Sequence, residues 1–241
     1  MKGDGLEGLE QTVLVCAPHT SISRHAREAE EVLFVVAGRG ELRLAGGERH
    51  ALEPETGVNL GPGQEYELCN EGSDPMRTVC VRVRGPADPM VPADPADPAD
   101  PAARDGHGTA RTVVRRLADL EAQDATTERS FRIVADPSTG LRSATQFVGY
   151  IPTTRAPDHF HTYDEVIYVL EGEGAFHAGG ASRPIAAGSC IELPARTVHR
   201  LENTGPDVMH LVAVFRPAGS PAAAYYPDGT PAYPGTPVLT R

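Results

Sequence analysis

The chain has 241 residues, 40% of them hydrophobic, and a formal net charge of −11 at neutral pH. It has room for one large domain or two small ones with packed cores, and its acidity argues against an electrostatic nucleic-acid binder. Lys2 is the sole lysine, so a buried catalytic lysine or a Schiff base is excluded unless the N-terminal tip folds into a site. Cys16, Cys69, Cys80 and Cys190 show no CxxC spacing and read as thiols in a reducing compartment. The opening stretch MKGDGLEGLE has no apolar signal-peptide core, and no apolar run approaches the ~20 residues of a membrane span. A cytoplasmic protein with neither a membrane nor a nucleic-acid partner is expected.

In chain order, residues 11–16 (QTVLVC) read as a first strand. Residues 32–36 form a second, ending at Gly38-Arg39-Gly40, and residues 41–44 a third before a Gly46-Gly47 turn. Short apolar runs around Val58, Tyr66 and Thr78 continue the pattern of brief strands and Gly/Pro turns that marks an all-β sandwich or barrel. Residues 86–108 change character to an Ala-Asp-Pro repeat, a semi-rigid linker rising roughly 3.1 Å per residue. Residues 111–125 leave two readings open. Val113, Leu117 and Leu120 have helical spacing, whereas Thr112-Val113-Val114 begins like a strand. Further strands are predicted at 130–134, 144–151, 166–170 and 208–215, with a hairpin from Gly174 to His177 closed by Gly179-Gly180. Residues 218–241, rich in Pro, Gly and Tyr, predict an extended arm lying on a barrel surface through Tyr225, Tyr226 and Tyr233.

The chemistry-bearing stretch is GYIPTTRAPDHFHTYDEVIYVLEG, residues 149–172. Residues two apart on a strand point to the same face, so His159 and His161 project together, and Glu165 keeps that parity if the strand resumes through it. Two imidazoles and a carboxylate converging on one point can hold a metal. His199, in GSCIELPARTVHRLEN, is the fourth candidate.

The two stretches together resemble the cupin signature. His159-Phe160-His161, three residues, Glu165, six residues and Gly172 follow its first motif. Gly188, five residues, Pro194, Ala195, Arg196, two residues, His199, three residues and Asn203 follow its second, with Arg196 where that motif has glycine. The resemblance implies a β-barrel carrying one metal on His159, His161, Glu165 and His199. Asn203 is expected to secure the turn after the histidine strand.

An internal repeat doubles the picture. EEVLFVVAGRG (30–40) overlays DEVIYVLEGEG (164–174), and YELCN (66–70) overlays HRLEN (199–203) with one residue deleted between the blocks. Two copies predict a bicupin, with two cupin-type barrels (double-stranded β-helix, or jelly-roll) in tandem. The expected divisions are 1–85 for the first barrel, 86–108 for the linker, 109–217 for the metal-binding barrel and 218–241 for the arm. In this overlay His25 falls on His159 and Glu31 on Glu165, but Arg27 falls on His161 and Tyr66 on His199. Arginine cannot coordinate and tyrosine holds its proton too tightly. The first barrel is therefore expected to have lost its metal, with Arg27 pairing with Glu31 or clamping an anion. One divalent transition ion per chain is expected, and Fe, Mn, Ni, Co and Zn all suit the ligand set.

Three neutral histidines and a carboxylate would leave such an ion a net charge of about +1 and open positions for a small-molecule substrate or dioxygen. The family resemblance favours an enzyme that dioxygenates an enol, phenolic or keto-acid substrate. Isomerisation or decarboxylation with the metal as Lewis acid is the rival, and a non-catalytic small-molecule binder is the reading from another class. Tyr150, Gln146, Tyr168, Arg196 and His177 are candidates to line the pocket or act in catalysis. No organic-cofactor motif, GxSxG elbow or P-loop is visible. Exposed sheet edges and apolar faces suggest that the barrels cover each other or that the chain forms a homodimer.

Overall fold

The computed structural model describes residues 6, 8–84, 112–125, 128–153 and 156–239. The expected linker, 86–108, lies outside them. Among the described residues the protein is all-β apart from two single-turn 3₁₀ segments, Leu117–Asp119 and Pro137–Thr139. Among the described residues no helix is long and apolar enough to cross a membrane.

The first eight strands are β1 (Leu9–Cys16), β2 (Thr20–His25), β3 (Glu30–Ala37), β4 (Gly40–Leu44), β5 (Arg49–Leu52), β6 (Thr56–Leu60), β7 (Glu65–Asn70) and β8 (Met76–Val83). They form two facing antiparallel sheets, ordered β1-β8-β3-β6 and β2-β7-β4-β5. The next strand, β9 (Val113–Arg116), does not start the second barrel. It extends the first sheet by pairing with β6, Val58 opposite Val114. Of the two readings left open for 111–125, the strand wins at 113–116, and Leu117 and Leu120 are buried beside it.

The second barrel repeats the plan. Its larger sheet is ordered β10 (Gln123–Asp124), β11 (Ser130–Ala135), β12 (Thr145–Ile151), β18 (Met209–Arg216), β13 (Asp164–Glu171) and β16 (Cys190–Leu193). Its smaller sheet is ordered β15 (Ala181–Ala186), β14 (Glu173–Ala178) and β17 (His199–Asn203).

The unbroken apolar runs of β3 and β13 are explained by burial on both faces, as in any strand covered on two sides. Leu33 and Val35 point into the first barrel, while Ile167 and Val169 point into the second. Their alternates, Val32, Phe34, Val166 and Tyr168, meet in a third apolar cluster between the barrels, joined by Val79, Val81, Val148, Val212 and Val214. The two barrels thus cover each other's apolar faces within one chain. Polar contacts lock the junction. Glu30 accepts hydrogen bonds from the backbone amides of Arg142 (2.8 Å) and Ser143 (3.1 Å), and Gln11 Nε2 donates to the Ile167 carbonyl (3.3 Å).

The repeated small residues have matching duties. Gly38 and Gly172 adopt φ of +77° and +88°, and any Cβ there would press on backbone of Pro75 or Met209. Asn70 Nδ2 donates to the Cys16 and Asp74 carbonyls, and Asn203 Nδ2 to those of Ile151 and Asp207. Each asparagine Oδ1 also accepts the backbone amide two residues on, at 2.9 Å. The same turn lock stands in both barrels.

Candidate metal centre

His159 and His199 face each other across a two-residue bridge, hydrogen-bonded in both directions (His159 N to His199 O, 3.0 Å; His199 N to His159 O, 2.8 Å). His161 follows two residues on, on the same face. The ligand atoms of the three imidazoles lie within 4.8 Å of one another, a cluster that could hold one metal ion. Glu165 lines the same cavity without joining that cluster; it sits on β13 with the inward parity of Ile167.

The hydrogen bonds set the imidazole tautomers. In each ring Nδ1 meets a backbone carbonyl: Pro157 for His159 (3.0 Å), Ala223 for His161 (2.9 Å) and Thr197 for His199 (2.9 Å). A carbonyl only accepts, so Nδ1 carries the proton and Nε2 keeps its lone pair. Burial holds all three imidazoles below their ordinary 6.5, aided for His161 by its histidine neighbours, and brings His199 down to about 3. Neutral imidazoles with carbonyl-anchored Nδ1–H groups are the form that binds metals. Burial also pushes the Glu165 carboxyl up to about 8. Tyr163 stacks on the His161 ring at 4.7 Å and on Phe215 at 3.9 Å, fixing the imidazole plane from behind.

The cavity holds about 90 Å³. Phe131, Phe147, Ile151, Ile167, Leu201 and Leu211 wall it, and Arg129 enters as its one guanidinium among the described lining residues. Arg129 Nη2 donates to the Leu201 carbonyl, and its buried Nε has no partner. Among the described residues no carboxylate lies within ion-pair distance of it. Burial lowers it to about 10, so it remains charged at neutral pH. Arg129 escaped the sequence reading because it stands alone between polar residues, with no spacing to mark it.

The other candidates divide by strand parity. Gln146 is fully buried, but its amide faces Gly57 of the first barrel. Tyr168 also points between the barrels. Tyr150 contributes to the lining, while its ring packs between Arg132 (5.6 Å) and His210 (4.9 Å). His177 is outside the cavity, with Nε2–H donating to Glu202 (2.9 Å) and Nδ1 accepting from Arg200 Nη2 (3.2 Å). Arg196 is exposed. It adopts φ of +62° and gives its backbone amide to the His161 carbonyl at 2.7 Å. Its left-handed backbone explains why glycine suits that motif position.

The first barrel departs from the expected overlay. Tyr66 is opposite Arg24, as His199 is opposite His159. By register, Arg24 rather than His25 takes the place of His159, and Ala26 rather than Arg27 that of His161. Arg24 Nε donates to the Tyr66 hydroxyl (3.0 Å) and Nη2 to Glu31 (3.1 Å), while Tyr66 Oη donates to the other Glu31 oxygen (2.6 Å). Arg82 also pairs with Glu31. Glu31 thus pairs with Arg24 and Arg82, not with Arg27, and the inner end of the first barrel is filled by a guanidinium where the second has three imidazoles.

The family model for the cupin domain matches this chain twice, at residues 12–82 and 146–215. An oxalate-binding protein of Thermotoga maritima is 39% identical over 51 residues, which are 21% of this chain and 42% of that protein, so the match spans less than half of the relative's length. Among solved structures, AerE from Microcystis aeruginosa superposes with a TM-score of 0.66 at 15% identity, covering 87% of this chain and 88% of its own. Bacillus subtilis oxalate decarboxylase, a protein described with Mn(II) centres, superposes at 0.62 and 14% identity, covering 88% and 70%. At these identities the likeness is one of fold.

Proposed function

The chain belongs to the cupin family and carries two cupin domains, and from that premise we propose a metal-dependent enzyme that acts on a small enol or keto acid in its second barrel. His159, His161, Glu165 and His199 are the proposed ligands. The observation that carries the substrate class is Arg129, a charged guanidinium that no carboxylate among the described residues pairs with, in the same small cavity as three neutral imidazoles. A half-buried cation that no described carboxylate neutralises is costly, and an anionic substrate would compensate it. A cavity of about 90 Å³ suits an acid of a few carbons better than a multi-ring phenol.

A redox-active divalent ion bound there would supply Lewis acidity and electron exchange with dioxygen. The residues supply the rest. The three Nε2 atoms and the Glu165 carboxylate would hold the ion. Arg129 would orient a carboxylate or enolate oxygen of the substrate, and the Phe and Leu walls would exclude water. Apart from the proposed ligands and Arg129, the described lining offers the Ser130, Tyr150 and Tyr163 hydroxyls for proton transfer, the last turned to the Pro221 carbonyl at 3.5 Å. Dioxygenation of an enolate needs less proton delivery at carbon than isomerisation or decarboxylation, which is why it is the preferred reaction class. The oxalate-binding relative supports a second reading, reversible binding of a small dicarboxylate without turnover.

The test combines metal analysis with turnover. Protein purified without added metal, then loaded with iron, should consume dioxygen with a small enol or keto acid and stop under anaerobiosis. Arg129→Met should keep the metal and weaken acid binding about 10- to 100-fold, the loss of one charge-assisted hydrogen-bonded anchor. Conversion undiminished without oxygen would overturn the oxygenase reading. Tight acid binding with no conversion would leave the binding protein standing.

A further inference from the structure

Residues 218–239 do more than lie on the barrel. Gly219 is tied at both ends of its peptide to Thr145 Oγ1, at 3.1 Å each way. The segment then crosses the cavity, where Pro221, Ala222 and Ala224 form one wall. Tyr225 exchanges both backbone hydrogen bonds with Phe160, each 2.9 Å, and its ring stacks on Phe160 with centroids 5.5 Å apart. Phe160 is the residue between His159 and His161. The ligand-bearing segment is therefore laddered on one side to His199 and on the other to the arm. The Ala223 carbonyl accepts the Nδ1–H of His161. Further along, Tyr225 Oη donates to Pro237 O (2.8 Å) and Tyr233 Oη to Asp124 O (3.0 Å), pinning the arm's far half.

We propose that this arm is a working part of the metal centre: the Ala223 carbonyl and the Phe160–Tyr225 pairing hold His161 in its metal-binding tautomer and orientation, and the Pro221–Ala224 stretch sets the size of the substrate cavity. Among the three imidazole anchors, those of His159 and His199 come from carbonyls two residues away in the chain, Pro157 and Thr197. Only His161 depends on a partner 62 residues distant, so its Nδ1–H acceptor is in place only while the arm is docked. Partners of this kind typically change metal affinity by 10- to 100-fold. Coupling is reciprocal: if docking favours the metal, the metal must favour docking by the same factor.

The inference rests on the ligand assignment above, and the experiment separates the two. In the full-length chain, Co(II) is titrated by calorimetry and visible absorption, and backbone hydrogen exchange is followed with and without Co(II). Tyr225→Ala removes the stacked ring and should weaken Co(II) binding about 10- to 100-fold and alter the ligand-field spectrum. Tyr225→Phe keeps the stack and the backbone ladder and should bind nearly as wild type. In the wild type, Co(II) should slow exchange of the Ala223, Tyr225 and Ala232 amides, a readout that stands even if the alanine variant misfolds. Unchanged exchange at those amides in a chain that binds Co(II), or wild-type affinity in a folded Tyr225→Ala, would overturn the inference alone. A wild-type chain that takes up no Co(II) would overturn the ligand assignment and this inference with it.

Discussion

Glu165 supplies the sharpest test of the centre. Burial alone pushes its carboxyl from an ordinary 4.5 up to about 8, so at neutral pH the metal-free chain carries a proton there that an incoming cation must displace. One displaced proton changes the affinity about tenfold per pH unit, roughly 1.4 kcal/mol. The imidazoles of His159, His161 and His199 are held below 6.5, so above that pH they are already neutral and add no slope. From pH 6.5 the affinity for Co(II) should therefore rise about 15-fold by pH 8 and about 30-fold in all before it levels off. Calorimetry in buffers of different ionisation enthalpy should count about one proton released per ion at pH 7. In Glu165→Gln both the slope and the released proton should vanish, and the affinity at pH 8 should fall. A flat profile in the wild type, or the same slope in the variant, would refute the assignment of Glu165 as a buried, protonated ligand. The same group acts on the stability of the metal-free fold. A carboxyl whose folded value is raised stabilises fully below about 4.5, and that contribution, about 5 kcal/mol, is lost as the pH rises through about 8. The depressed imidazoles work in the other direction, withdrawing stability as the pH falls below 6.5 and, for His199, down to about 3. The metal-free chain should be most stable near pH 6.5, which urea titrations at a series of pH values will show.

Three further outcomes are expected. Elemental analysis should find about one transition-metal equivalent per chain, falling to near zero in His199→Ala while circular dichroism stays that of a folded β protein; two equivalents, or one surviving in the variant, would mean that the first barrel binds metal despite Arg24. Arg24→Met should cost about 2–4 kcal/mol in urea unfolding, because fully buried Glu31 would keep only Arg82 and Tyr66 to balance its charge; an unchanged midpoint would remove Arg24 from that role. Gly172→Ala should cost about 1–3 kcal/mol, since its φ of +88° and the Met209 backbone 2.9 Å from any Cβ leave no relaxed place for a methyl group; a neutral result would show that the turn can re-form.

Much of this protein is written in local pattern. Paired apolar runs, the glycines at their ends and the asparagine turn locks repeat along the chain because strand parity and turn geometry are short-range constraints. From them follow the tandem barrels, and from the spacing of His159, His161 and His199 follows the triad. What the tertiary structure decided is of another kind. Whether Arg24 or His25 faces inward depends on a ladder register against Tyr66, and a one-residue slip turns every side chain to the opposite face. The same rule sent Gln146 and Tyr168 between the barrels, although their strands were foreseen. Val113–Arg116 joined the first barrel because β6 had an unpaired edge, a fact that lies some fifty residues away from it in the chain. Arg129 has no motif, and its place in the cavity beside the three imidazoles exists only once both sheets have closed. The Ala223 carbonyl is the extreme case. Every residue carries a carbonyl, so no sequence feature could single out the one that meets His161; only the path of the arm across the folded barrel selects it.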